Sequence, residues 1–528
     1  PPSVCVSRSA ERTRLMHIKA QADAFSPEEL GAQFKELCIV SPSTGEALSD
    51  PFPFNLMFQT PIGPSGHLHG YLRPETAQGM FLNFRRMLNY NNGQMPFAAA
   101  QIGKAFRNEI SPRGGLLRVR EFTIAEIEHF VNPANKSHAR FSEVAALELT
   151  LFPESRQLTD GKCVVMSVGA AVEAGLIGNE TLAYFMARTA TFFDQIGVTR
   201  SGVRFRQHLK NEMAHYATDC WDAEVLMSSG WVECVGHADR ACFDLEAHGE
   251  RTGVDLVATE RLSEPRFVDV VVMTADRKRM GRAFKGNNKF VTAALEELKA
   301  DRSAALAFQA RLDADGEVAL ELPSGESVSV TREMVTFSEE KEKVTQVKYS
   351  PHVVEPSFGM GRVMEAVLQH SFYVRDAWKA PPAPAVEEEG KKKGKKGKKG
   401  KKKGKKEESE TIARAVMGLT PSMAPVKVAV LPLDARVSAA IVQRLISSLV
   451  GMGVPAQSDT SSVSIGRKYA RMDEIGVPFA LTVDFETSTL QKVTLRERDT
   501  CMQTLLPLGE VVSVLLGLTS GTLTWSGV

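Results

Sequence analysis

The sequence predicts an α+β region in the larger N-terminal part of the chain, followed by a separate small α/β domain. Residues 96–130 form two strand-like arms around the polar loop SPRGG, which predicts a long antiparallel hairpin. Residues 426–517 alternate between strand-like and helix-like runs, which predicts a mixed sheet. Between these regions, the stretch APPAPAVEEEG and the lysine run after it have no periodicity, so they are predicted to form a linker.

The individual elements follow from local patterns. Residues 26–37 begin with Ser26, Pro27 and Glu29, the pattern of a helix that starts with a capping box. The other N-terminal predictions are helices over 137–196 (broken at 158–162) and 286–311, and strands over 317–322 and 328–331. The C-terminal predictions are strands over 426–433, 479–485 and 489–499, and helices over 437–454 and 502–517.

Charge is distributed very unevenly along the chain. The 528 residues include 64 Lys+Arg and 63 Asp+Glu, a formal net charge of +1. Residues 391–406 alone hold twelve lysines and four glycines, which leaves 52 basic residues against 63 acidic ones elsewhere. The near-neutral total therefore does not exclude a nucleic-acid partner. The lysine run fits either a solvated linker or a phosphate contact that is independent of base sequence.

Cysteine spacing and hydropathy indicate the redox compartment of the protein and its relation to membranes. The seven cysteines include no C-x-x-C pair, so neither a disulfide framework nor a four-thiolate zinc site is expected. No apolar stretch reaches the roughly 18–20 residues of a membrane span. Charged residues from Arg8 to Arg14 interrupt any signal-peptide core. We therefore expect a reducing compartment and no membrane partner.

The predicted hairpin carries charged and aromatic side chains on one face, because side chains alternate across a strand. The residues assigned to that face are Arg107 and Glu109 on the first arm and Arg118, Arg120, Phe122, Glu126 and Glu128 on the second. Taken alone, the pattern fits a solvated face with cross-strand ion pairs as well as it fits a ligand site. A purine nucleotide would suit it, with the base stacked on Phe122, a phosphate on Arg107 and an exocyclic amine at Glu109.

Two segments resemble the motifs of the class II aminoacyl-tRNA synthetases. FRNE (106–109), a loop and then REFTIAE (120–126) resemble motif 2. EPSFGMGRVMEAV (355–367) resembles motif 3, a strand that runs into a helix opening with Gly361 and Arg362. Four further runs narrow the resemblance to the glycyl-tRNA synthetases of eukaryotic and archaeal type. They are YLRPETAQGMFLNF (71–84), RFRQHLKNEMAHYATDCWDAE (204–224), GWVECVGHADR (230–240) and SIGRKYARMDEIGVPFALTVDF (464–485).

The resemblance implies a class II catalytic core, which is an antiparallel sheet flanked by helices, joined to a C-terminal α/β anticodon-binding domain. The implied boundaries are an N-terminal part of the catalytic region at 1–70, a catalytic domain at 71–377 with an inserted α/β region at about 241–350, a disordered Pro/Lys-rich linker at 378–412 and an anticodon-binding domain at 420–528.

In this family ATP lies bent on the sheet, which implies roles for individual residues. Arg107 and Arg362 would be the catalytic residues, the first holding the α-phosphate and the second covering the adenine and the phosphates. Phe122 would stack on the other face of the adenine. The remaining implied ATP contacts are Asn108, Glu109, Arg118, Val119, Glu233 and Cys234, and Glu233 would also bind Mg²⁺.

The implied glycine site consists of Glu75, Glu126 and the corner formed by Glu355, Pro356 and Ser357. Glutamates suit the ammonium group of the substrate. The glycine carboxylate is already ionised at neutral pH, so its attack on the α-phosphate needs no general base. Catalysis would then consist of positioning and charge stabilisation. A filled pocket could exclude larger amino acids sterically.

The C-terminal domain is implied to bind the anticodon of tRNA(Gly). Exposed arginines and an aromatic residue suit unstacked single-stranded bases, although the same residues would otherwise be ordinary surface charge. The residues expected near strand ends are Arg467, Lys468, Tyr469, Arg471, Arg496 and Arg498.

The resemblance has one gap. Residues 1–50 show no match to motif 1, the helix and strand through which the family forms dimers. We expect an N-terminally incomplete chain whose full-length protein is a homodimer. The expected compartment is the cytoplasm, with mitochondria as an additional location, because glycyl-tRNA synthetases are often shared between compartments.

Two other functions are compatible with parts of this resemblance. A catalytically inactive, synthetase-like nucleic-acid-binding protein of the polymerase accessory-subunit type should lack Arg107, Glu109 and Arg362, and all three are present. A class II synthetase for proline or threonine is disfavoured by Glu75 and Glu126, which lie within runs of glycyl type.

Deletion of residues 391–406 tests whether the lysines contact RNA. We expect weaker tRNA binding and a flatter dependence of affinity on salt, because fewer phosphates are neutralised. Glycine activation should not change. Binding titrations at several salt concentrations measure both quantities, and an unchanged salt slope would make the segment a spacer only.

Overall fold

The computed structural model describes residues 8–22, 25–300, 302–322, 327–375, 414–434 and 436–528. The predicted linker at 378–412, with its lysine run, lies outside these residues. The chain divides into two compact units. The first comprises Pro1–Met87, Pro96–Val254 and Pro351–Val528, and the second comprises Leu88–Met95 and Asp255–Ser350.

The described elements before residue 255 alternate between short helices and strands. In chain order they are α1 (Arg8–Gln21), α2 (Pro27–Glu36), β1 (Gln59–Ile62), β2 (Leu68–Tyr71), α3 (Ala77–Leu82), α4 (Phe84–Tyr90), β3 (Phe97–Phe106), β4 (Glu121–Val131), β5 (Glu148–Phe152), α5 (Glu154–Gln157), β6 (Val164–Ser167), α6 (Val168–Glu173), α7 (Glu180–Ile196), β7 (Val203–Gln207), β8 (Asp219–Met227), β9 (Gly230–Ala241) and α8 (Phe243–Thr252).

The second unit has its own apolar core, which includes Met280, Leu295, Phe308 and Leu312. Its elements are β10 (Ala258–Ala275), α9 (Arg277–Phe284), α10 (Asn288–Ala300), α11 (Arg302–Asp315), β11 (Glu317–Glu321), β12 (Ser327–Thr331) and β13 (Val335–Tyr349). The helices predicted over 286–311 and the two short strands after them are present.

The elements after residue 350 complete the first unit. They are β14 (His352–Gly359), α12 (Met360–Ser371), β15 (Phe372–Arg375), β16 (Arg414–Met417), β17 (Val428–Pro432), α13 (Ala439–Gly451), β18 (Ala456–Gln457), α14 (Ile465–Glu474), β19 (Phe479–Val483), α15 (Thr487–Leu490), β20 (Lys492–Glu497), β21 (Gln503–Pro507) and α16 (Val511–Ser520).

The central sheet of the first unit has the strand order β3-β4-β14-β9-β8-β7-β5-β6 among the described residues. Its neighbouring strands run antiparallel, except that β5 and β7 are parallel. Side chains such as Trp221, Ala223 and Val225 on β8 pack with α7 and α12 in one apolar core. Since successive side chains of a strand point to opposite faces, Asp222 and Glu224 lie on the other face of the sheet, which carries polar side chains.

Two sequence-predicted local features are confirmed. At the start of α2, the Ser26 side chain accepts a hydrogen bond from the Glu29 amide, and Glu29 accepts one from the Ser26 amide, which is a complete capping box. Strands β3 and β4 pair as the predicted antiparallel hairpin, from Phe97 opposite Phe130 to Phe106 opposite Glu121.

The prediction of helix across 137–196 is wrong in its first half. Residues Glu148–Phe152 and Val164–Ser167 are paired strands, and the long helix begins only at Glu180. Short apolar runs such as LTLF and VVMS fit a buried strand as well as a helix, so periodicity alone does not decide between them. The Asn179 side chain caps the helix by accepting a hydrogen bond from the Leu182 amide at 2.9 Å.

The hairpin connection is longer than the predicted SPRGG loop and extends from residue 107 to 120. The Arg107 amide still donates to the Arg120 carbonyl at 3.0 Å, but the Glu109 amide turns back to the Arg107 carbonyl at 2.8 Å. The assignment of Arg107, Glu109, Arg118 and Arg120 to one strand face is therefore wrong, because these residues lie beyond the ladder. Glu126 and Glu128 do lie on β4 as predicted.

The C-terminal sheet is mixed, as predicted, with the strand order β18-β17-β19-β20-β21 among the described residues. β17 runs parallel to β18 and β19, and β20 runs antiparallel to both of its neighbours. The terminal helix predicted at 502–517 is only partly right, since Gln503–Pro507 forms the edge strand and the helix covers Val511–Ser520.

A buried carboxylate connects this C-terminal sheet to β15. Asp473 is 3% exposed and accepts hydrogen bonds from Arg496 at 2.9 and 3.0 Å and from Arg375 at 2.7 Å. Removing its charge would leave two guanidinium groups unpaired in a poorly hydrated place.

We predict that Asp473→Asn lowers the free energy of unfolding by about 3–5 kcal/mol, the usual cost of leaving half of a buried ion pair. Urea unfolding of the whole chain measures it. Asp434→Asn is the matched control, because Asp434 pairs with Arg436 at the surface and should have little effect. Equal effects of the two substitutions would contradict this role of Asp473.

Candidate active site

A cleft of about 620 Å³ opens over the polar face of the central sheet where the hairpin connection meets the start of α12. Its lining residues are Arg107, Glu109, Leu116, Leu117, Arg118, Val119, Phe122, Ile124, Glu233, Cys234, Ser357, Gly359, Gly361 and Arg362. The structure therefore brings together all the predicted ATP contacts except Asn108. The Asn108 amide donates instead to the Leu56 carbonyl at 2.6 Å, and its side chain donates to the Asn55 carbonyl at 3.4 Å.

One wall of the cleft combines an arginine and an aromatic ring. The Arg107 guanidinium lies 5.5 Å from the centre of the Phe122 ring, close enough for a cation–π contact. Beside it, Glu109 and Arg118 face each other with 3.9 Å between Oε2 and Nε. A ring that stacks on Phe122 would therefore have both a cation and a carboxylate within reach.

The opposite wall depends on Arg362 from the first turn of α12. Its Nε donates to the Leu117 carbonyl at 3.1 Å, and its Nη1 donates to the Glu233 carbonyl at 2.9 Å and the Glu233 carboxylate at 3.1 Å. One side chain thus connects the hairpin connection, β9 and α12. Gly361 packs against the same connection, since a Cβ at this position would lie at ordinary contact distance, 3.6 Å, from the Leu116 carbonyl oxygen.

Cys234 contributes backbone and bulk rather than a reactive thiol. It is 2% exposed, and burial raises the pKa of its thiol to about 12. Strands β9 and β14 pair antiparallel at the base of the cleft, with Val235 opposite Phe358.

A cluster of carboxylates lies next to the cleft and is held by the buried guanidinium of Arg240. Arg240 is 2% exposed and donates to Asp244 at 2.8 and 3.1 Å and to Glu355 at 2.8 Å. Its Nη2 is 3.7 Å from Glu75, whose Oε1 also accepts from Gln78 at 2.7 Å. Its guanidinium also lies 4.3 Å from the centre of the Tyr216 ring.

Both carboxylate oxygens of Glu126 accept hydrogen bonds, one from Thr76 and the other from Ser357 on β14. Its Oε2 accepts from the Thr76 amide at 2.6 Å and from the Thr76 hydroxyl, and its Oε1 accepts from Ser357 at 3.2 Å. Strand register explains the meeting, since Ser357 pairs with Glu126 on one side and with Gly236 on the other. The structure thus groups Glu75, Glu126, Glu355 and Ser357, as predicted, whereas buried Pro356 offers no polar side chain.

Sequence reasoning did not single out Arg240, Asp244 or Thr76. Arg240 lies in the quoted run GWVECVGHADR, and a lone cation close to several predicted glutamates could have drawn attention to it. Its partner Glu355 is 115 residues away, so only the fold pairs them.

A second polar group lies on β8 and just after β7, where His208, Cys220 and Asp222 have potential ligand atoms within 4.8 Å of one another. His208 is already hydrogen-bonded to Asp222 at 2.8 Å, and Arg206 lies 3.4 Å from the same oxygen. Burial alone would lower the pKa of His208, but Asp222 and Cys220 together raise it to about 11. The hydrogen bond to the Asp222 carboxylate favours a protonated imidazole, and an imidazolium has no lone pair to offer a metal.

The expectation of exposed arginines in the C-terminal domain is wrong for two of them. Arg496 is 6% exposed and pairs with Asp473, while Arg498 is 2% exposed and pairs with Asp499 at 2.8 Å. Lys468 is also buried, and its Nζ donates to the Pro432 carbonyl at 2.8 Å.

Four of the expected anticodon contacts, including Lys468, lie on α14 rather than near strand ends. Arg467 and Arg471 are exposed, so RNA contact by them stays a prediction. The Tyr469 ring lies 4.6 Å from the Arg496 guanidinium and its hydroxyl contacts Thr482, which makes it a packing residue.

Comparison with known proteins identifies the family. Residues 67–371 match the tRNA synthetase class II core domain (G, H, P, S and T), and residues 427–518 match the anticodon binding domain. A protein from Schizosaccharomyces pombe called putative glycine--tRNA ligase is 43% identical over 96% of this chain and 72% of its own length. The chain belongs to the class II glycine--tRNA ligases. The inactive accessory protein and the prolyl or threonyl enzyme are thereby disfavoured.

Other glycine--tRNA ligases match over similar spans. The Drosophila melanogaster protein is 42% identical over 96% of this chain and 62% of its own length, and the Methanothrix thermoacetophila protein is 40% identical over 97% and 81%. A solved prolyl-tRNA synthetase from Cryptosporidium parvum aligns remotely, with 11% identity and a TM-score of 0.43 over 98% of this chain and 71% of that one. In the described part of the chain, no helix is both long and apolar enough to cross a membrane.

We predict that Arg362→Ala loosens the hairpin connection of this glycine--tRNA ligase family member. Losing a charged donor to the Leu117 carbonyl should cost about 1.5 kcal/mol and speed local opening roughly tenfold. Hydrogen–deuterium exchange at the amides of Arg113 and Leu117, both hydrogen-bonded within the connection, measures it. Arg156→Ala, which removes a surface ion pair outside the connection, is the control, and unchanged exchange in Arg362→Ala would contradict this role.

Proposed function

We propose that this chain activates glycine with ATP to form glycyl-adenylate and transfers the glycyl group to the 3′ end of tRNA(Gly). The observation that carries the proposal is the adjacency of two sites on one sheet. An arginine-lined cleft with a half-buried aromatic wall meets a buried carboxylate cluster at Ser357. Family membership supports both halves of the reaction.

ATP binding is assigned to the cleft. Phe122 offers a stacking surface for adenine, and Arg107 and Arg362 offer positive charge to the phosphates. In the chemical step, a glycine carboxylate oxygen forms a bond to the α-phosphorus while the bond from that phosphorus to the pyrophosphate oxygen breaks. The arginines stabilise charge that builds up on the phosphate oxygens, and no proton has to move.

Glycine binding is assigned to the carboxylate cluster. Glu126 and Glu355 are both anchored by their neighbours, so their charges are directed before the substrate arrives. An ammonium group held by such carboxylates would point the substrate carboxylate toward the cleft. Holding the glycine carboxylate rigidly against the α-phosphate would raise the rate, because less entropy is lost in reaching the transition state.

Divalent metal use is general in this class of enzyme, and Mg²⁺ is the ion we propose here. Glu233 fits it, because its carboxylate is 52% exposed at the cleft and offers the oxygen ligands that Mg²⁺ prefers. When bound, the ion would neutralise phosphate charge.

The remaining proposals concern partners and location. The anticodon-binding domain supports a tRNA partner, which we take to be tRNA(Gly), with Arg467 and Arg471 as candidate contacts. We also propose that the protein is a homodimer and acts in the cytoplasm and also in mitochondria. Saccharomyces cerevisiae has one relative named mitochondrial and a second whose name gives no compartment.

ATP–pyrophosphate exchange across amino acids tests the activity. We expect exchange with glycine and at least 100-fold less with alanine, proline or threonine, since steric exclusion supplies roughly 10²-fold or more. Exchange with another amino acid, or with none, would refute the proposal.

Arg107→Ala should reduce glycine-dependent exchange by at least about 100-fold, as expected for loss of one charged transition-state contact. The fold should be unaffected, because the side chain is exposed and contacts mainly the Phe122 ring. Arg156→Ala removes a surface ion pair with Asp160 and serves as the control with normal activity.

A further inference from the structure

Glu128 is a buried carboxyl group that the proposed reaction does not use. It lies on β4 two residues after Glu126, on the same face of the sheet, and is 0% exposed. Among the described residues, neither of its carboxyl oxygens has a hydrogen-bond partner. An ionised carboxylate in this position would lose its hydration without any compensating bond, which is very costly.

The neighbours of Glu128 make ionisation still less favourable. Val354 pairs with His129 and Ser357 with Glu126, so the register places Glu355 directly across from Glu128. Cross-strand neighbours have Cβ atoms about 4.5–5.5 Å apart, which places the two carboxyl groups close together. On the other side, β3 contributes only Ala99 opposite Glu128.

The surrounding charges come from several elements. The titratable groups in this cluster are Glu126 on β4, Glu355 on β14, Arg240 on β9, Glu75 before α3, Asp244 on α8 and Tyr216 before β8. Arg240 is already engaged by Asp244 and Glu355, so it does not pair with Glu128. Burial first, and then the charge of Glu355, raise the pKa of Glu128 well above its ordinary value.

Of the two facing carboxyl groups, Glu128 and Glu355, only Glu355 is hydrogen-bonded to Arg240, and this difference decides which of the two is protonated. Burial raises the pKa of Glu355 too, but the guanidinium 2.8 Å away opposes that rise. Glu128 has no such partner and therefore holds the proton of the pair. The empty pocket then contains one neutral acid among several carboxylates.

We propose that Glu128 holds a proton in the empty amino-acid pocket and releases it to solvent when the ammonium group of glycine enters. This inference rests on the assignment of the pocket to glycine. The O–H bond of the Glu128 carboxyl group breaks, its proton passes to water, and the ammonium keeps its three protons. The new positive charge compensates Glu126 and Glu355, which lowers the cost of a further negative charge at Glu128.

Glu128 is thus a positioning residue that tunes the charge of the pocket to its substrate. Affinity for glycine should rise with pH between the pKa of Glu128 in the bound state and that in the empty state, because binding releases a proton there. The largest slope for one linked proton is about tenfold in affinity per pH unit.

Calorimetry with two stable adenylate analogues tests the proposal. Glycyl-sulfamoyl-adenosine carries the ammonium group, and acetyl-sulfamoyl-adenosine replaces it with hydrogen. Titration at about pH 6.5, where an α-amino group is protonated, in two buffers of different ionisation enthalpy gives the number of protons released. We expect release that approaches one proton with the glycyl analogue and none with the acetyl analogue.

The variant Glu128→Gln keeps the shape of the protonated acid and should release no proton with either ligand. Proton release that persists in Glu128→Gln would overturn the proposal, because another carboxyl group would then supply it. Equal release with both analogues in the unmodified protein would also overturn it, and this arm does not depend on the folding of a variant.

A separate outcome distinguishes this proposal from the proposed function. Glycine-dependent pyrophosphate exchange without ammonium-dependent proton release would refute the role of Glu128 alone. Absence of glycine-dependent exchange would refute the function on which it rests.

Discussion

The arrangement of the proposed amino-acid pocket depends on the buried guanidinium of Arg240. Several carboxyl groups converge there from different elements, and without a central cation they would repel one another or take up protons. Arg240 binds Asp244 through two hydrogen bonds and Glu355 through one, and it lies against the rings of Phe81 and Tyr216. Buried ion pairs of this kind add little net stability but fix one arrangement of charges. The pocket is therefore ready for a cation before any substrate binds.

The register of the paired strands fixes the position of this carboxylate cluster relative to the neighbouring cleft. Ser357 lies opposite Glu126 on one side and Gly236 on the other, so β14 joins the carboxylate cluster to the strand that carries Glu233. Arg362, at the start of the helix that follows β14, then connects Glu233 to the hairpin connection. The two substrates of the proposed reaction would thus meet across one short strand. Their relative positions are set by backbone pairing rather than by flexible side chains, which favours accurate positioning.

Sequence patterns predicted the features that depend on neighbouring residues. Period-two alternation placed Glu126 and Glu128 on one face, and the capping box located the start of α2. The errors concern long-range partners. Arg496 and Arg498 have the composition of a nucleic-acid surface, but Arg496 pairs with Asp473 from α14, and Arg498 donates to the distant Gly476 carbonyl at 3.1 Å inside the domain. Arg240 was missed for the same reason. The arms of the hairpin were extended too far because charged residues alternate in the connection as they would in a strand.

A crystal structure with glycyl-sulfamoyl-adenosine tests the central claim, that one sheet holds both substrates through Arg240 and its carboxylates. The account predicts adenine between Phe122 and Arg362, and the ligand ammonium within hydrogen-bond distance, about 2.7–3.2 Å, of Glu126 or Glu355. Arg240 should keep its contacts with Asp244 and Glu355. An ammonium bound away from these carboxylates, or an Arg240 that turns to bind the ligand, would contradict the account.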